Sequence, residues 1–167
     1  MIVVDANILA FYIIDGKRTA ETNCLRIMDA EWMVPSFWLV EFQSILWKYV
    51  RYDGMPLGMA QEYLDKALDI FAPNEMTPSP DIVLRDAANW KITVYDAQYV
   101  SLAREFGVRC VTEDIALQEM CPDIAISIED FLKTGDAPIV REPGATYGSR
   151  RSKRIAGRPA GKRGRTV

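Results

Sequence analysis

Apolar positions along the chain fall into short continuous runs separated by longer stretches with helical spacing. Residues 1–4 (MIVV) form a short apolar run that ends at Asp5, the pattern of a buried strand. Residues 19–30 (TAETNCLRIMDA) read as a helix, and 32–34 as a second short strand. Ser36 is a suitable N-cap for a helix that runs to about Tyr52 and stops before Asp53 and Gly54. Residues 57–71 (LGMAQEYLDKALDIF) repeat apolar positions at helical spacing, and Pro80 starts a further helix to about Trp90. Another helix is predicted over 95–106 with Gly107 as its stop, followed by a strand over 108–111. A short helix over 114–120, a strand over 124–126 and a helix over 127–133 close the pattern. Strands separated by helices predict an α/β domain with a parallel sheet covered on both faces.

The pattern ends near residue 137. Residues 138–167 hold five glycines and three prolines and lack Leu, Phe, Met and Trp, so they cannot bury a core. The charge divides at the same place. Residues 1–137 carry 11 Lys and Arg against 22 Asp and Glu, whereas 138–167 carry 9 against 1. The expected organisation is an acidic domain over 1–137 and a basic, disordered tail over 138–167.

Composition removes several classes of function. No apolar run approaches the roughly 18 residues needed to span a bilayer. The opening MIVVDANIL has no basic segment before its apolar run and does not read as a secretory leader. Three cysteines, Cys24, Cys110 and Cys121, without CxxC spacing read as core thiols in a reducing cytoplasm. There is no histidine, which excludes Ser-His-Asp and Cys-His catalysis and any His-ligated metal. Phosphate-loop, dinucleotide-fingerprint and EF-hand patterns are absent. Any chemistry must run on carboxylates, lysines, hydroxyls or a hard metal ion.

Four acids stand out. Glu41 is the only charge between Ser36 and Trp47, and its helical neighbours include Phe37, Trp38 and Ile45. An ionised carboxylate on such a face either turns to water or meets a cation. Asp5 follows the first strand, Asp96 opens a helix, and Asp114 follows the strand VRCV by two residues. Ligand sites in open α/β sheets lie beyond the carboxyl ends of the strands, where these four could converge. Each also has a plainer role: Asp96 and Asp114 as helix caps or first-turn acids, Asp5 as the hinge of an Asx-turn, Glu41 in a salt bridge. Asn7, Thr112 and Glu113 are supporting candidates or simply turn residues. The other acids, such as Glu62, Asp65, Glu129 and Asp130, are expected on solvated helix faces.

The stretches VVDANIL, VPSFWLVEFQSIL, TVYDAQYVSLARE and CVTEDIAL together resemble the PIN-domain nucleases, in particular the VapC-type toxins of toxin–antitoxin pairs. The resemblance spans roughly residues 1–133. It implies a three-layer α/β/α sandwich with a mainly parallel sheet. It also implies that Asp5, Glu41, Asp96 and Asp114 are the metal-binding, catalytic acids, with Thr112 matching the hydroxyl residue that precedes the last one. Asp5 and Asp96 would be the principal ligands, Asp114 would complete the site, and Glu41 would act through water. Such oxygen donors suit Mg²⁺ or Mn²⁺. The implied function is metal-dependent hydrolysis of RNA phosphodiester bonds by a cytoplasmic endoribonuclease, with an antitoxin protein as partner and a homodimer as the assembly.

Rival α/β readings fit less well. A haloacid-dehalogenase-type phosphatase needs a second Asp where this chain has Asn7, and a response-regulator receiver needs an acidic pair after the first strand. The alternative of another class is a PIN-like module that binds RNA or protein without turnover. The tail, which such toxins usually lack, admits three readings: an RNA-tethering arm, an autoinhibitory segment whose arginines enter the acidic site, or an extension without a role.

Overall fold

The computed structural model describes residues 1–135; the basic segment 138–167 and the boundary placed at 137 lie outside the described residues. Five short strands form one wholly parallel sheet: β1 (Ile2–Val4), β2 (Trp32–Pro35), β3 (Glu75–Met76), β4 (Cys110–Val111) and β5 (Ala125–Ile126). Their spatial order is β3-β2-β1-β4-β5. The chain therefore winds outward from β1 through β2 to β3, then returns to the other side of β1 for β4 and β5. Strand order reverses between β1 and β4, which makes the crevice beyond their carboxyl ends the expected ligand site.

Among the described residues eight α-helices cover the sheet: α1 (Ala6–Ile13), α2 (Thr19–Met28), α3 (Trp38–Tyr52), α4 (Leu57–Phe71), α5 (Pro80–Trp90), α6 (Val94–Phe106), α7 (Ile115–Met120) and α8 (Ile128–Thr134). Alternation of side chains along β1 divides the core. Ile2 and Val4 join Leu9, Trp38, Phe42, Phe71 and Phe131 on the face covered by α1–α4 and α8. Val3 joins Tyr99, Val100, Leu102 and Leu117 on the face covered by α6 and α7. α5 packs on α6 through Val83, Ala87 and Ala97. The result is the expected α/β/α sandwich with helices on both faces.

The helices over 57–71 and from Pro80 to Trp90 lie where the spacing predicts them. Four local expectations need correction, the first being that all three cysteines are core thiols: Cys110 and Cys121 are buried, whereas Cys24 on α2 is exposed. Ser36 does not cap α3: its hydroxyl pairs with that of Thr77 at 3.0 Å, Phe37 takes the flanking position and the helix begins at Trp38. Glu41 consequently lies in the first turn of α3. Asp86 is no solvated acid: it is fully buried between α5 and α6, accepts from the Ser101 hydroxyl at 2.8 Å and faces Arg104 at 2.6 Å. Helix α1 is also new, because ANILAFYI is apolar at nearly every position and carries no helical stripe.

Candidate active site at the carboxyl edge of the sheet

Asp5 stands at the switch point itself. Its backbone N–H donates to the Val111 carbonyl at 3.0 Å, tying the end of β1 to the end of β4. It occupies the N-cap position of α1, yet its carboxylate makes no cap hydrogen bond. Its Oδ2 instead accepts from the Thr112 hydroxyl at 2.7 Å, and the Asn7 side-chain amide lies at 3.4 Å. Burial pushes the Asp5 pKa up, against the lowering from Thr112 and from the first amides of α1. Thr112 is itself fully buried, and its oxygen also accepts from the Asp114 amide at 3.1 Å.

The Glu41 carboxylate meets a hydroxyl rather than a cation. Tyr99, almost fully buried on α6, donates to Glu41 Oε2. Burial raises the Glu41 pKa first; the Tyr99 bond lowers it, and the charges of Asp5 and Asp96 raise it again. The Tyr99 hydroxyl is pushed far above its ordinary value by burial, then by Glu41 and Asp5. Glu41 thus feels the charges of two carboxylates from two other segments, and both make it harder to ionise. Tyr99 was not among the candidates from sequence. Its signal was present, because it lies three residues after Asp96 and so one turn along the same side of α6.

The remaining candidates divide. Asp96 fills the third position of α6, where its Oδ2 accepts from the Thr93 hydroxyl at 2.7 Å while its amide donates back to Thr93. Asp114 is exposed and caps α7, accepting from the Leu117 amide at 3.0 Å. Its link to Asp5 runs through Thr112 rather than through its own carboxylate. Asn7 is exposed. Glu113 points to another neighbourhood: it pairs with Arg18 at 2.8 Å and accepts from the Ile128 amide at 3.0 Å, which joins α2 and α8 to the end of β4.

Among the described residues, no three acid, thiol or imidazole side chains are gathered closely enough to hold a metal ion. The chemistry of the donor set nevertheless fits a hard cation. Mg²⁺ and Mn²⁺ take oxygen ligands, keep several waters and need only one or two direct carboxylates. Asp5 and Asp96 repel the charge of Glu41, and among the described residues no Lys or Arg forms an ion pair with any of the three, so positive charge beside them would relieve that repulsion.

No family model matches the chain. It is 34% identical over 94 residues to Exonuclease VapC9 of Pyrobaculum aerophilum, covering 56% of this chain and 69% of that protein. Its fold is similar to the crystal structure of PAE2754 from Pyrobaculum aerophilum, with a TM-score of 0.62, 27% identity and coverage of 78% and 92%. It is also similar to VapBC2 from Rickettsia felis, solved with a fragment of its promoter DNA, at a TM-score of 0.56, 18% identity and coverage of 76% and 98%. The first of these likenesses is in sequence and spans more than two thirds of the relative: the chain belongs to the VapC-type PIN-domain nucleases.

Proposed function

We propose that the protein is a divalent-metal-dependent endoribonuclease and the toxin of a toxin–antitoxin pair. The observation that carries this reading is Glu41 lying within the field of Asp5, at the β1–β4 switch point, and of Asp96, whose charges both raise its proton affinity. These three residues would hold Mg²⁺ or Mn²⁺, with Asp114 at the margin. When bound, the ion supplies Lewis acidity toward a phosphodiester. Thr112 holds Asp5 in one orientation and thereby fixes one donor before any ion arrives. Tyr99 does the same for Glu41, and the raised pKa of that carboxylate makes it a better base toward an attacking water.

VapBC2, one of the structures that the chain resembles, was solved bound to promoter DNA, which supports an antitoxin as the binding partner here. A homodimer and a cytoplasmic location complete the reading. Among the described residues no helix is long and apolar enough to cross a membrane. The test is cleavage of a mixed, structured RNA pool and matched DNA by the full chain, with Mg²⁺, with Mn²⁺ and with chelator, beside Asp96→Asn. Metal-dependent cutting of RNA that the variant lacks is the expected result. Binding of RNA without cutting under any condition would favour the non-catalytic module.

A further inference from the structure

We propose that Tyr95, backed by Phe37, is a stacking platform for an unpaired nucleobase of the RNA strand whose phosphate enters the acidic crevice. The proposal rests on the ribonuclease reading and adds the part of the substrate that reading leaves unplaced.

The geometry comes from two helices. α3 follows β2 and α6 precedes β4, so both begin at the carboxyl edge of the parallel sheet, beside Asp5. Glu41 on α3 meets Tyr99 on α6. Four residues earlier on each chain segment, Phe37 meets Tyr95, with ring centroids 4.8 Å apart and planes 20° from parallel. Four residues are about one helical turn, or about 6 Å of rise. The aromatic pair is therefore a second rung on the same ladder, one turn outward from the carboxylates toward the mouth of the crevice.

Tyr95 is placed to serve both sides. At about 100° per residue, it lies on the α6 surface between the Asp96 and Tyr99 side and the side bearing Val94 and Gln98. Those last two residues line a shallow groove of about 450 Å³ together with Phe37, Pro78 and Leu84. Phe37 stacks on the Tyr95 ring, yet Tyr95 remains 58% exposed, which leaves much of the residue to solvent. Core packing does not account for an aromatic ring held flat by a neighbour and open to water. A stacking surface does.

Charge selects the occupant. The domain is strongly acidic and repels phosphates, whereas no Asp, Glu, Lys or Arg lines the groove. A nucleobase is neutral and binds an aromatic face without regard to that repulsion. The Gln98 amide at the groove's edge can both donate and accept, which suits a base edge. Paired bases present no free face, so the platform favours single-stranded segments.

The experiment uses the full chain, Mg²⁺ and a short single-stranded RNA carrying 2-aminopurine beside the cleavage site. Stopped-flow fluorescence reads stacking ahead of cleavage, and steady-state rates give KM and kcat. Wild type should quench the probe. Tyr95→Ala should abolish the quench and raise KM roughly 5- to 150-fold, with kcat changed far less. Tyr95→Phe should behave as wild type, and an abasic nucleotide at that position should erase the difference between wild type and Tyr95→Ala. Because Tyr95 is largely exposed and the substitution removes only its stack on Phe37, the alanine variant should stay folded with a thermal midpoint only slightly below that of wild type. Wild-type cutting with an unchanged quench and KM in Tyr95→Ala would overturn this inference alone. Absence of any RNA cutting by wild type would overturn the ribonuclease reading and the platform with it.

Discussion

Tyr99→Phe removes one oxygen and tests how the crevice tolerates its carboxylates. The Tyr99 hydroxyl donates to Glu41, and a hydrogen bond to a charged group contributes about 1.5–3 kcal/mol. Phenylalanine spares the cost of burying a hydroxyl, and Glu41 retains some contact with water, so the net loss at neutral pH is about 1–2 kcal/mol. With a urea m-value of about 2 kcal/mol/M, the unfolding midpoint should fall by about 0.5–1 M. The loss must also depend on pH in a particular sense. Burial and the Asp5 and Asp96 charges hold the Glu41 pKa above its ordinary value, and the Tyr99 bond works against them. The folded protein therefore binds a proton at Glu41 more readily than the unfolded chain, and stability declines as pH rises through the raised pKa. Removing the hydroxyl raises that pKa further. The variant should match wild type most closely at the acid end, near pH ~4, and diverge as Glu41 ionises. Urea melts of both proteins from pH 4 to 8 read this directly. Equal midpoints at every pH, or a deficit largest in acid, would refute the reasoning.

Two other substitutions probe the supports of the site. Thr112→Val deletes a buried hydroxyl that donates to Asp5 and accepts from the Asp114 amide; it should cost about 1–3 kcal/mol and slow cleavage, with both restored in Thr112→Ser. Rates unchanged in a valine variant of lowered stability would make Thr112 merely structural. Arg104→Ala leaves the fully buried Asp86 with only the Ser101 hydroxyl; because Arg104 is itself 39% exposed, the cost should be about 1–3 kcal/mol rather than the 3–5 of a fully buried pair. Thermal melts of Arg104→Ala and of Asp86→Asn should show the second to be the milder change.

Much of this architecture was legible because local signals agree with the fold. Pro80, Thr93, Gly107 and Ser127 mark helix ends where the structure has them, and the helices over 57–71 and 80–90 have clear apolar stripes. What stayed hidden has physical reasons. Helix α1 is buried nearly all round and shows no period, while β3 is a two-residue exposed edge strand with no apolar run. Ser36 has the chemistry of a cap, but the Thr77 hydroxyl competes for it. The four acids could be placed at one end of the sheet from their positions after strands and at helix starts. The cap role of Asp114 and the first-turn place of Asp96 were legible too; that Asp5 makes no side-chain cap bond and that Glu41 is held by a tyrosine 58 residues away were not. Such distinctions arise from packing across the sheet, which no local pattern encodes. Asp86 was misplaced for the same reason, since its partner Arg104 comes from the next helix.

The claim on which the account turns is that Asp5, Glu41 and Asp96 form one cation site. Titration calorimetry of the full chain with Mn²⁺, beside Asp5→Asn and Glu41→Gln, tests it most directly. Wild type should bind the ion saturably, with binding lost in Asp5→Asn and weakened in Glu41→Gln. Saturable binding that is equal in all three proteins, or none in wild type, would contradict it.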